Sequence, residues 1–84
     1  MADAATLSKT LTDSYQEIIT GACMLTVNEG QLVRVSFQST TPADDTEAYH
    51  TTNSFVSYTG GLKVYARIDD ACRGTRTKIG YTGV

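Results

Sequence analysis

What most limits the fold of this chain is a two-residue alternation of apolar and polar side chains. It recurs in short runs separated by Gly, Asn, Asp and Pro. In LKVYARIDD, Leu62, Val64, Ala66 and Ile68 alternate with Lys63, Tyr65, Arg67 and Asp69. That is the spacing of a strand, whose successive side chains point to opposite faces. SYQEIIT sets Tyr15, Glu17 and Ile19 against Gln16, Ile18 and Thr20, and ACMLTVNEG puts Cys23, Leu25 and Val27 on one face. QLVRVSFQS turns Val33, Val35 and Phe37 inward, with Leu32, Arg34 and Ser36 outward, and Tyr81 shares an inward face with Thr77 and Ile79.

The punctuation between these runs predicts how they pair. NEGQ at 28–31, with Gly30 free to take positive φ, reads as the turn of a hairpin joining its two flanking runs. ACRGT, with Gly74, reads as the turn joining LKVYARIDD to RTKIGYTGV. Pro42 and the aspartates after it mark a loop leading into a short strand near 48–51, and NSFVSYTGG offers another strand that ends at Gly60 and Gly61. No segment holds helical periodicity beyond a turn or two. The expected fold is therefore all-β, a small antiparallel β-sandwich or barrel over residues 14–84. Residues 1–13 carry only Leu7 and Leu11 as large apolar anchors at helical spacing. They read as a flexible N-terminal arm with at most one helical turn.

Composition removes several functions. The chain has 84 residues, enough for one domain. Its net charge of −2 supplies no general field for nucleic acid or an anionic membrane surface. No apolar run approaches the roughly 20 residues of a membrane span, and the opening residues lack the pattern of a secretory leader. Cys23 and Cys72 stand outside any CxxC pair and with a single histidine, so no metal site is expected and both read as free thiols.

Nor is there a catalytic signature. His50, the single histidine, sits among threonines as a surface side chain would, with no nucleophile elbow or thiol-protease motif. The pairs Asp44-Asp45 and Asp69-Asp70 fall where strands give way to turns, where carboxylates cap backbone groups. No glycine pattern cradles a phosphate. The chain reads as non-enzymatic, with no cofactor.

Charge is segregated instead. Five of the seven basic residues, Lys63, Arg67, Arg73, Arg76 and Lys78, lie in the last two runs, and residues 44–47 are acidic. On alternation alone, Lys63, Tyr65 and Arg67 form an outward polar face, and together with Arg76 and Lys78 they are the expected partner-binding residues. Tyr65 is the leading candidate for a subunit contact.

The runs TGACMLTVNEGQLVRVSFQSTTPADD and GGLKVYARIDDACRGTRTKIGY resemble small β-sandwich virion proteins of tailed bacteriophages. VYAR, a glycine turn and a last strand carry most of the likeness. Tyr15 stands where those proteins more often have tryptophan, and TGG where they have a PG turn. The resemblance implies a capsid decoration (cement) protein, made in the host cytoplasm and bound to the major capsid protein on the outer shell. It also implies a homo-oligomer, with a trimer favoured. Its alternative is a tail-fibre or head-fibre appendage module, in which Tyr58 and Tyr65 would stack on a carbohydrate.

Overall fold

The computed structural model describes residues 5–29, 32–72 and 76–83. Eight strands follow one another: β1 (Thr6–Thr10), β2 (Gln16–Thr20), β3 (Cys23–Glu29), β4 (Val33–Gln38), β5 (His50–Thr52), β6 (Phe55–Tyr58), β7 (Lys63–Ile68) and β8 (Lys78–Gly83). A single 3-10 turn, Asp70–Cys72, follows β7. The strands form two antiparallel four-stranded sheets, sheet I in the order β1-β8-β3-β6 and sheet II in the order β2-β7-β4-β5. This is a β-sandwich, as the alternation requires: each sheet has one apolar face, and stacking the two removes both from water.

The inner faces match the periodic pattern closely. Leu25, Ile79, Val33, Val35, Val64 and Ala66 are at most 1% exposed, with Val27, Val56, Phe37 and Tyr81 packed around them. A β-bulge in β2, where pairing with β7 shifts between Glu17 and Ile19, lets Ile18 and Ile19 both pack on the core.

Pairing differs from the local reading. The runs flanking NEGQ form no hairpin, because β3 lies in sheet I and β4 in sheet II; β7 and β8 are likewise in different sheets. Among consecutive strands only β4 and β5 pair. The other links step between sheets, and the β2–β3 link does so at Gly21, whose φ of +92° suits glycine. The turns expected around Gly30 and Gly74, with Arg73, lie outside the described residues.

The N-terminal segment also differs. Thr6–Thr10 is no free arm but a strand at the edge of sheet I, in register with β8 from Thr6 opposite Thr82 to Thr10 opposite Lys78. After it, Leu11 is buried at 4% exposure and its N–H bonds the Thr77 carbonyl at 2.9 Å, and Thr12 accepts the Ile68 N–H at 2.9 Å. Backbone pairing holds this stretch where its sequence carries few apolar anchors.

Candidate functional site

The residues expected to face a partner divide between the two sheets. Lys63, Tyr65 and Arg67 share the outer face of sheet II, whereas Lys78 lies in β8 of sheet I and Arg76, exposed, precedes it. The five form no common face.

Nor is the outer face of sheet II solvated. Tyr65 is 1% exposed and Arg67 0%, which corrects the expectation that both point into water. β7 is a central strand, and its outward side lies beneath the loop 39–49. Ser36, the register partner of Tyr65, donates its hydroxyl to the Ala48 carbonyl at 2.7 Å, and the Arg34 guanidinium sits 4.3 Å from the centre of the Tyr49 ring. Asp44 anchors the same loop to the start of β2, accepting from the Ser14 hydroxyl at 3.1 Å and the Tyr15 N–H at 3.3 Å. Lys63 alone reaches the surface, pairing with Glu17 at 3.6 Å. An exposed pair of this kind adds little to stability.

Beneath the loop lies a polar network that alternation could not reveal. Arg67 donates Nε to the Asp13 carbonyl and Nη2 to Asp70, both at 2.7 Å, and lies 5.7 Å from the Tyr15 ring centre. Its Nη1 and the Tyr15 hydroxyl are buried with no hydrogen-bond partner among the described residues. Arg34 donates Nε to Asp69 at 2.9 Å. That bond, with the Ala71 N–H, holds the Asp69 carboxyl below its ordinary pKa and raises that of Arg34. Burial raises the Tyr15 phenol, against the opposing charge of Arg67. These charges tie the entry to β2, the middle of sheet II and the 3-10 turn together. The network is structural: its carboxylates and guanidiniums are engaged with one another.

Two features remain open to ligands or partners. The first is the outer face of sheet I. Thr6, Ser8 and Thr10 of β1, Met24 and Thr26 of β3, and Ser57 of β6 are exposed around Gly80, with Lys78 the one formal charge among the described side chains there. Met24 is 46% exposed, and Phe55 at the margin is 53% exposed. The second is a cleft of about 340 Å³ on the sandwich edge, where β5 of sheet II and β6 of sheet I lie side by side. Exposure of Met24 and Phe55 was the signal that period two could not supply, because it depends on what lies over each face.

The tyrosines proposed to stack on a sugar are occupied. Tyr58 stacks on Phe37 with ring centres 4.1 Å apart, and its hydroxyl accepts the Leu62 N–H at 3.0 Å; Tyr65 is in the interior. His50 touches the Phe37 ring at 5.9 Å between centres and makes no side-chain hydrogen bond or ion pair among the described residues. Cys23 and Cys72 are both buried, with no disulfide between them, and burial raises the Cys23 pKa. Among the described residues no three His, Cys, Asp or Glu side chains converge to hold a metal, and no helix is long and apolar enough to cross a membrane. No protein family, curated protein or solved structure matches the chain.

Proposed function

We propose that this chain is a non-enzymatic virion structural protein, a capsid decoration protein that docks on the outer shell of a tailed phage through sheet I. The observation that carries this reading is the asymmetry of the sandwich. Sheet II closes its outer face with its own loop, while sheet I leaves exposed an almost uncharged field of Thr and Ser hydroxyls around Met24. Exposed apolar groups set in a polar, weakly charged surface suit contact with another folded protein. A strand-built surface also loses little conformational freedom on docking.

The sequence resemblance supplies the identity of the partner, the major capsid protein, and the symmetric oligomer, with a trimer favoured. Of the residues first assigned to the contact, Lys78 belongs to this face. Lys63 and Arg76 remain at the surface outside it, and Tyr65 and Arg67 act by holding the fold.

The test is the solution mass by light scattering, then co-sedimentation with shells stripped of surface proteins. A trimer that pellets with shells, and a Met24→Glu variant that folds but stays in the supernatant, support the assignment. Wild-type protein that remains in the supernatant at every shell concentration overturns it.

A further inference from the structure

We infer that the cleft between β5 and β6 binds a neutral saccharide, with a pyranose ring against Phe55 and its hydroxyls on His50 and Ser57. The cleft lies on the sandwich edge, where Phe55 and Ser57 also border the exposed face of sheet I, and its occupant is a sugar rather than the shell protein.

Shape and chemistry lead to this class. The volume of about 340 Å³ is at the small end of the range for small-molecule sites. Phe37 and Val56 give the cleft an apolar interior, and Phe55 stands at its rim with 53% of its surface exposed. Phe37 is already held by the Tyr58 stack, so the floor is rigid. Phe55 makes no ring contact among the described residues, and its aromatic surface can take an apolar face.

The polar lining is uncharged apart from what His50 carries on protonation, so nothing in the cleft selects a phosphate, a carboxylate or a cation. The side chains of His50 and Ser57 make no hydrogen bond within the described chain, and both residues are exposed. The Thr52 hydroxyl already accepts the Ser54 N–H at 3.2 Å, leaving its proton to donate. A purely hydrocarbon ligand would strip water from these groups without replacing its hydrogen bonds. A pyranose offers both surfaces at once: C–H bonds for the aromatic ring and hydroxyls that donate and accept. An open site of this size predicts millimolar affinity for one sugar unit.

The experiment is a titration of the isotope-labelled full chain, followed by amide chemical shifts. The probes are glucose, galactose, N-acetylglucosamine and their β-linked disaccharides, taken to about 100 mM, where a site with millimolar Kd is nearly full. The expected result is saturable shifts at residue 37 and residues 50–57 with at least one sugar. Affinity should fall at least tenfold in both Phe55→Ala and His50→Ala, which are exposed positions whose variants should keep the wild-type spectrum elsewhere. Ser8→Glu, on the docking face but in β1 at the sheet edge opposite β6, should leave the sugar shifts unchanged. No saturable shift with any sugar, shifts centred elsewhere, or undiminished binding by both variants overturns the inference. Shifts at β5 and β6 with an extended Thr-Val peptide but with no sugar would overturn it in favour of strand addition to a free sheet edge.

Discussion

Lys63 and Arg67 are the same kind of residue on the same side of the same strand, yet removing them should have very different effects. In Arg67→Ala the Asp13 carbonyl loses its 2.7 Å donor. A hydrogen bond to a charged group contributes about 1.5–3 kcal/mol, and water can replace part of it because Asp13 is exposed. The contact with the Tyr15 ring, 5.7 Å from the guanidinium, adds about 0.5–2 kcal/mol. The space left by a side chain at 0% exposure adds a cavity. Against these, the change removes a desolvated charge whose Nη1 has no partner among the described residues, and the Asp70 carboxylate, 51% exposed, can rehydrate. The net is about 2–4 kcal/mol of lost stability, a large part of the roughly 4–13 kcal/mol expected of 84 residues. At about 4–8 °C per kcal/mol for a domain of this size, Tm should fall by on the order of 8–32 °C. Lys63→Ala breaks an exposed pair and should stay within about 0.5 kcal/mol of wild type. Urea denaturation measures both, and Arg67→Met, which keeps most of the volume without the donors, should fall between them. An Arg67→Ala protein within about 1 kcal/mol of Lys63→Ala would refute the buried-network reasoning.

Other expectations follow from the same contacts. Asp69 has a lowered folded-state pKa, so its contribution is present above the unfolded carboxylate value near 3.9 and lost as pH falls through the folded value. Asp69→Asn should therefore lower stability at pH 7 and flatten its decline below about pH 4, read from denaturation midpoints across pH. Deleting residues 1–13 removes β1, buried Leu11 and the Asp13 carbonyl that Arg67 binds; circular dichroism should show loss of the cooperative transition rather than a folded domain lacking an arm. Gly21→Ala should cost roughly 1 kcal/mol or more, because φ of +92° strains any side-chain-bearing residue although the space there is open. Cys23, buried with a raised pKa, should react with a thiol reagent at a rate that follows unfolding rather than at the rate of a free thiol.

The sequence by itself determined the strand segments and the inward set. Alternation in Val33, Val35, Phe37 and in Val64, Ala66, Ile68 marks one side of each strand for the core wherever the strand ends up, because a side-chain period of two is a property of the backbone. Tertiary structure decided the rest. Which strands pair depends on contacts between segments distant along the chain, so β3 and β4, adjacent in sequence, part company between sheets. The N-terminal segment becomes a strand because the free edge of β8 supplies hydrogen bonds that its own composition does not announce. Alternation likewise separates the two faces of β7 without saying what lies over the second. Leu62, on the apolar side of the pattern, ends up 46% exposed, while on the polar side Arg67 is buried against Asp13, Tyr15 and Asp70, and Tyr65 is buried beside Ser36, which bonds the loop at Ala48. Burial is a property of the assembled surface, and a local period carries no information about the cover that another part of the chain provides.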